Sequence, residues 1–470
     1  MTHIVMPPAK PAPLTRSATS WAVFDAGRHC YSMLIVAAVF TPYVATVLAP
    51  NPVAGQEMVA TIGLWSGIAG ALLATIMGGS IDRMGVRKPA LAALVVLLSI
   101  VAASFWWASP TGPLNLQAVV PLLMVATVLY WLVEVVHNAM LLGAAAPDEL
   151  GRASGLGATL GFFVASAALL GFLWAFVLPA EIRATWLPAK PVFGLDPAAH
   201  EPQRASGPVV GACLLLALLP LLVFSHDIPR TGVRARDAVV QSIWQVGDLL
   251  RDFLARRDVR TFLIARMLFS SGHMGNVMFM AVYAAGAFRW GTAQLMIEAL
   301  ISSIGAVFGG VLSSWLDARV GTKRALLICL LANGLAFAGM IGASHDHIFF
   351  FLSYDAAVNG RPWDGPLYST WPEWAFAICD IINSLFLVAC LALSRTLMAK
   401  LSPPEQASSL FGLYSLSAAG TAWVAPVLVG AATAVFASQQ FGLLPLLALI
   451  VAGCVTLMFV RVPPRRQDAP

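Results

Sequence analysis

Gly78-Gly79-Ser80-Ile81-Asp82-Arg83-Met84-Gly85-Val86-Arg87-Lys88 has a counterpart about 235 residues further on, Ser313-Ser314-Trp315-Leu316-Asp317-Ala318-Arg319-Val320-Gly321-Thr322-Lys323-Arg324. Each stretch carries an Asp, a nearby Arg, a Gly and a basic pair, and each separates two long apolar runs. The pattern describes a helix end at a membrane surface. The Asp can bond backbone donors or a basic side chain, the Gly permits a tight turn, and the basic pair anchors to headgroups. Placement of basic residues on one side of a membrane explains the Arg and Lys, but not the repeated Asp and Gly.

Working outward, the chain of 470 residues is 59% hydrophobic and 11% charged, with a mean hydropathy of +0.80. That is too apolar for the surface of a soluble protein. A helix needs about 20 residues to cross a hydrocarbon core of roughly 30 Å. Runs of that kind lie near 21–48, 57–80, 89–108, 118–146, 152–178 and 208–225, and again near 261–287, 294–314, 324–344, 373–400, 407–435 and 440–461. The chain therefore reads as an all-α polytopic membrane protein, with twelve transmembrane helices in two pseudo-symmetric six-helix bundles. Residues 1–20 form an N-terminal tail, 21–225 and 261–461 the bundles, 226–260 a linker and 462–470 a second tail. Residues 1–20 are polar and Pro-rich and show no signal-type cleavage stretch, so the first span is expected to be retained.

Lys and Arg fall twenty to five on the two sides of this arrangement, with Arg28, Arg266 and Arg395 inside spans. Both termini are therefore expected in the cytoplasm, with the protein in a bacterial inner membrane. In the linker, Val239, Ile243, Val246, Leu250 and Phe253 form an apolar helical stripe opposite Arg251, Arg256 and Arg257; it either lies on the inner membrane surface or is a solvated helix.

A net charge of +5 without a basic face gives no support to a nucleic-acid partner. The six cysteines sit singly in apolar runs, without a C-x-x-C pair or a histidine at metal-ligand spacing. His345 and His347, two residues apart in an outer loop, read as solvated. Gly321-Thr322-Lys323 lacks the upstream Gly of a phosphate-binding loop. No metal, cofactor or enzymatic activity is expected, and transport would be driven by an ion gradient or run downhill. Partners are a small-molecule substrate, membrane lipid and a proton, and the protein is expected to be a monomer.

A second echo pairs the stretch from Asn138 through Pro147-Asp148-Glu149 to Gly155-Leu156 with that from Arg395 through Pro404-Glu405-Gln406 to Gly412-Leu413. A fainter one pairs Phe24-Asp25-Ala26-Gly27-Arg28 with Phe269-Ser270-Ser271-Gly272-His273. Related halves imply a site between them near the midplane. The Asp-Arg-Gly-basic loops resemble the signature of the major facilitator superfamily, across essentially the whole chain. More narrowly, Ser20-Trp21-Ala22-Val23-Phe24-Asp25, Gly151-Arg152-Ala153-Ser154-Gly155-Leu156-Gly157 and Phe411-Gly412-Leu413-Tyr414-Ser415-Leu416-Ser417 with Thr421, Trp423 and Pro426 resemble the autophagy-related vacuolar amino-acid effluxers and their bacterial relatives. The resemblance implies secondary transport, with amino acids exported from the vacuole in the fungal case. The chain departs from the family pattern at Arg28-His29, at Ala418-Ala419 and at Ser271.

Intramembrane ionisable residues are costly and face a cavity or a partner. Here they concentrate in four spans: Asp25, Arg28 and His29 in span 1, Glu134 and His137 in span 4, Arg266 and His273 in span 7, Asp380 and Arg395 in span 10. In the resembled superfamily these spans line the cavity. Glu57 and Glu298 also fall in apolar runs, near their ends. Helical spacing puts Asp25, Arg28, His29 and Ser32 on one face, and likewise Tyr130, Glu134, His137 and Asn138; Arg266, Ser270 and His273; Asp380, Asn383 and Ser384.

Glu134 is the first candidate proton carrier and Asp380 the second, because burial raises a carboxyl's affinity for a proton and an approaching cation lowers it. His137 and His273 are candidate relays, although neutral hydrogen-bonded contacts explain either equally well. An ion pair or hydrogen bond from Glu134 to His137 is the structural alternative. Arg28, His29, Tyr130, Asn138, Arg266, Asn276 and Asn383 are candidate substrate contacts. Asp25, Asp82, Arg83, Gly85, Asp317, Arg319, Gly321 and Arg395 are candidate gating residues, with Asp25, Arg28, Arg266 and Arg395 forming an inner gate of ion pairs. An Arg freed when its carboxylate is protonated would meet an anionic group, so an anionic or amino-acid-like solute is expected, exported rather than imported. The alternatives are efflux of hydrophobic compounds, or a non-transporting assembly factor or receptor acting through the outer loops 179–207 and 345–372.

Overall fold

The computed structural model describes residues 14–461 apart from 86, 111, 146–149, 182–184, 186, 226, 228–230, 235, 243–256, 366, 402–413, 415–416 and 419. A helix forms at every apolar run. Spans 1 to 6 are Arg16–Leu48, Pro52–Met84, Lys88–Trp107, Leu116–Ala144, 150–181 and Glu201–Phe224; spans 7 to 10 are Arg257–Ala287, Thr292–Val320, Thr322–Ile341 and Trp371–Leu401. Span 11 is described as a regular helix over Val424–Phe436, and span 12 is Gln439–Met458. Among the described residues, ten of these helices are long and apolar enough to cross a membrane. Span 7 is long enough, at 31 residues, but its polar stripe lowers its hydropathy.

Local sequence sets the helix starts. Asn51, Asn115 and Ser438 each accept a bond from the backbone N–H three residues on, at 2.9, 3.3 and 3.4 Å, and Pro52 occupies a first-turn position that needs no N–H. Asp227 caps span 3 from the linker side, accepting from the Arg87 and Lys88 amides at 2.9 and 3.0 Å. Its charge suits the positive end of that helix.

The two Asp-Gly loops close alike. Gly85 has φ 84 and Gly321 φ 80, with their N–H groups bonded to Ile81 O at 3.0 Å and Asp317 O at 3.1 Å. Other residue types adopt this backbone only with strain. Lys400 of span 10 pairs with Asp317 at 3.1 Å, Thr322 also bonds that carboxylate, and the Arg319 guanidinium lies 4.1 Å from the Trp315 ring centre. Arg83 donates to Ser242 Oγ at 2.8 Å, tying this loop to the linker helix 236–242. The side chain of Asp82 lies outside the described residues, as do Ile243, Val246, Leu250 and Phe253 of the linker stripe and most of the second sequence echo.

Packing repeats between halves. Spans 1 and 6, 2 and 4, 3 and 4, and 3 and 6 pack together, as do 7 and 12, 8 and 10, 9 and 10, and 9 and 12. Each bundle has its own apolar core. The bundles meet through spans 2 and 11 and through spans 5 and 8. Outward-facing apolar side chains such as Phe163 and Leu335, 70% and 75% exposed, belong in hydrocarbon rather than water. The outer loop adds a small antiparallel pair, His347–Ile348 with Leu352–Ser353.

Span 1 is not a uniform helix. After Arg16–Cys30 it widens into π turns over Tyr31–Ala38 and Val44–Leu48, with an irregular Val39 (φ −125, ψ −67) between them. Pro42 has no N–H to offer the preceding turn. Helices broken in this way commonly line transporter cavities.

Candidate functional site

Between the bundles lies a cavity of about 430 Å³. Span 1 gives it His29, Ser32 and Met33, span 5 Phe162, span 7 Asn276 and Met280, span 8 Glu298 and Ser302, and span 10 Phe376, Asp380, Asn383 and Ser384. Both halves therefore supply polar groups to one space.

In the N-terminal bundle, Arg28 is the hub. Its guanidinium meets Asp25 Oδ1 at 2.8 Å, Glu134 Oε2 at 3.1 Å and the Tyr130 hydroxyl at 3.0 Å. One cation thus faces two carboxylates. His137 does not bond Glu134: its Nε2 lies 3.0 Å from the Trp21 carbonyl oxygen, its Nδ1 lies 3.7 Å from Asp25, and its ring stacks on Trp21 with centroids 4.4 Å apart. His29 Nδ1 is 2.7 Å from the Asp25 carbonyl oxygen, the tautomer with Nδ1–H donating, which leaves the ring edge to the cavity.

In the C-terminal bundle a neutral chain of side chains runs from the core to the cavity wall. His273 Nε2 meets Asn333 Oδ1 at 3.0 Å, Asn333 Nδ2 donates to Asn383 Oδ1 at 2.9 Å, and Asn276 Nδ2 donates to the same oxygen at 2.8 Å. Asn333 is fully buried. Asp380 stands beside Glu298, a residue that sequence position alone sets aside as close to a helix end.

Arg266 does not reach the cavity. It donates to the Tyr414 carbonyl and to Ser417 Oγ and packs on the Tyr414 ring at 3.5 Å. Arg395 and Asn138 are exposed, and neither they nor Arg28 and Tyr130 line the cavity. The expected grouping of ion pairs is corrected on two points. Asp25 and Arg28 of the expected gate form one cluster with the candidate proton carrier Glu134, within one bundle. Among the described residues, no ion pair joins the bundles, and both carboxylates that meet Arg28 come from its own side. Asp380 has a carboxyl neighbour, Glu298.

The bundles are instead joined by neutral groups, at the end opposite the Asp-Gly loops. Gln56 donates to Thr433 Oγ1 at 2.8 Å and to Gln439 O at 3.1 Å, Gln439 donates to Pro52 O at 2.9 Å, and Gln203 donates to Thr292 at 2.9 Å. None of these amides carries a charge that would have marked it in the sequence.

Glu298 does have a readable signal. Ser302, Gly305 and Gly309 follow it at i+4, i+7 and i+11, all on one helix face. A Cβ on Gly305 would sit 2.2 Å from Ile381 O, and one on Gly309 2.6 Å from Leu385 O, so spans 8 and 10 touch backbone to backbone there. Ser384 Oγ donates across this contact to Ser302 O at 2.7 Å. Close approach of this kind through small residues is how membrane helices pack.

Two repeated six-helix bundles meeting about a central cavity define an integral membrane transporter of the major facilitator type. Residues 162–470 match the family described as vacuole effluxer Atg22 like, and the chain belongs to that family. It is 20% identical over 463 residues to the uncharacterized MFS-type transporter YxiO of Bacillus subtilis (strain 168), covering 95% of each chain. Against autophagy-related protein 22 of Cryptococcus neoformans var. neoformans serotype D it is 21% identical over 208 residues, 44% of this chain and 36% of that one. A point mutant of the nucleoside transporter NupG shares the fold, with a TM-score of 0.63 at 13% identity over 94% of this chain and 99% of that one. YxiO and NupG are both described as transporters.

Proposed function

We propose that the protein is a proton-coupled secondary transporter that exports a small organic solute, amino-acid-like or anionic, by alternating access. The observation that carries this reading is the cavity, whose walls come from both bundles and hold His29 on one side and Asp380, Asn276 and Asn383 on the other. A solute with a carboxylate and an ammonium group finds partners for each across this space. Met33, Phe162, Met280 and Phe376 complete the lining and favour an apolar side group. Hydrogen bonds between the bundles at one end suit a state closed there, with exchange at the other end. In this reading the basic loops face the cytoplasm together with both termini, the membrane is a bacterial inner membrane and the working unit is a monomer; the excess of Lys and Arg on one side supports the orientation.

For the proton, position on the cavity wall favours Asp380 over Glu134, which is engaged by Arg28. His137 and His273 each have one ring nitrogen committed to a fixed oxygen and fit neutral helix contacts. Arg28, held by two carboxylates, becomes available to an anionic solute only if one of them is protonated. The test is purified protein in proteoliposomes with an imposed pH gradient, screened against amino acids and small organic anions. Wild type is compared with Glu134→Gln and Asp380→Asn. Gradient-driven flux lost in Asp380→Asn and kept in Glu134→Gln supports the assignment; solute flux that ignores the gradient in wild type removes proton coupling.

A further inference from the structure

Glu298 is 6% exposed, and its two oxygens have opposite surroundings. Oε2 accepts from the Tyr368 hydroxyl at 2.7 Å. Oε1 is buried and meets no hydrogen-bond donor among the described residues. Beside Glu298 stands the Asp380 carboxyl, itself 9% exposed and flanked by Ser302 and Asn383. Two bare carboxylates side by side in a low-dielectric site repel each other, and each also forfeits hydration. A donor is missing from the middle of the pair.

Tyr368 is held for its task. It has φ 53, a left-handed backbone that tyrosine rarely adopts. Its carbonyl accepts from the indoles of Trp363 and Trp374 at 2.8 and 2.9 Å, and its ring packs edge-on against Trp290 at 5.3 Å. These contacts fix a strained residue whose hydroxyl points down onto Glu298. Trp290 in turn donates to Glu373 at 2.7 Å and Thr370 donates to its other oxygen at 2.9 Å, so both oxygens of that carboxylate are engaged. His29 is the titratable group facing the pair across the cavity from span 1, and Cys379 adjoins Asp380 on span 10.

We propose that Glu298 and Asp380 hold one proton between them, bridging Glu298 Oε1 and the Asp380 carboxyl, while Glu298 Oε2 accepts from Tyr368. The pair binds and releases that proton as a unit, with one net negative charge when loaded and two when empty. This site deepens the proton-coupled reading above and rests on it for its place in transport, but proton binding itself does not depend on any solute. Glu298 thereby becomes a proton-binding residue, and Tyr368 a positioning residue whose hydroxyl favours the empty state.

The experiment is infrared difference titration of the purified full-length protein in detergent, following the protonated-carboxyl stretch from acid to alkaline pH. Wild type should show one titrating band for the pair, and that band should vanish in Glu298→Gln and equally in Asp380→Asn. Tyr368→Phe, which keeps both carboxyls, should retain the band and move its midpoint up by about one pH unit, the worth of one hydrogen bond to a charged group. Two bands, each lost only in its own variant, would overturn the shared proton. A midpoint that moves with sodium concentration at constant pH would overturn it in favour of a metal cation. Failure of the transport reading is separable: an intact shared band with no solute flux leaves the pair and removes its role, whereas proton-driven flux surviving both carboxyl variants removes the pair and leaves the transporter.

Discussion

Arg28 reaches across from span 1 to Glu134 of span 4 at 3.1 Å while holding Asp25 of its own helix at 2.8 Å. The two carboxylates are not equivalent. The Asp25 side chain is 10% exposed and that of Glu134 41% exposed, so Asp25 is the desolvated partner and Glu134 the wet one. Removing the buried partner leaves the cation with the half-exposed Glu134 alone, at a cost of up to about 3 kcal/mol, while removing the half-exposed one keeps the buried pair and costs about 1 kcal/mol or less. Thermal unfolding in detergent should therefore rank Asp25→Asn well below Glu134→Gln. The reverse order would mean that Glu134, not Asp25, is the counter-ion that Arg28 requires.

The neutral chain through Asn333 makes a second ranking. Asn333→Leu leaves the buried His273 N–H without its acceptor and takes one of the two donors from Asn383 Oδ1, and should cost about 2 kcal/mol of stability. Asn276→Ala removes only one of the two donors on Asn383 Oδ1, and its cost should stay near or below about 1 kcal/mol. Equal melting shifts for the two variants would contradict a chain anchored at Asn333.

Gln56 supplies two of the hydrogen bonds that join the bundles opposite the Asp-Gly loops. In Gln56→Leu the state joined at that end should lose about 2 kcal/mol, roughly a thirtyfold change in the balance of states. Spin labels at exposed Thr61 of span 2 and exposed Val435 of span 11 should report a broader, longer distance distribution in the variant. An unchanged distribution would assign the closure to apolar packing between spans 2 and 11 instead.

Features with a strict local requirement could be read along the chain. Gly85 and Gly321 need a left-handed backbone, and Asp25, Arg28 and Glu134 are charged where charge is costly, so each leaves a mark at its own position. The features that could not be read depend on partners across space. Asn333, Gln56 and Gln439 are uncharged, and nothing near them in sequence says that they end up buried against other spans. The carboxyl neighbour of Asp380 is decided by the approach of spans 8 and 10. Glu298 looks exposed at a helix end until Tyr368, seventy residues away, folds over it. The π turns of span 1 likewise correspond to no period in the sequence.

That approach of spans 8 and 10 gives the sharpest substitution test. Gly305 touches Ile381 backbone with no room for a methyl group, since an added Cβ falls 2.2 Å from its carbonyl oxygen. Gly310, five residues on, has nothing within 4 Å of the same added atom. Both lie in the helical interior of span 8, where alanine is otherwise the better residue. Gly305→Ala must force the helices apart, with an overpacking cost of about 1–3 kcal/mol, and it should also weaken the Ser384 to Ser302 bond that crosses the contact. Gly310→Ala should be neutral or slightly stabilising. Because Glu298 and Asp380 face each other across this same contact, Gly305→Ala should also split the carboxyl titration of the pair while Gly310→Ala leaves it alone. If both variants melt and titrate like wild type, the backbone contact at Gly305 does not set the distance between the two carboxyls.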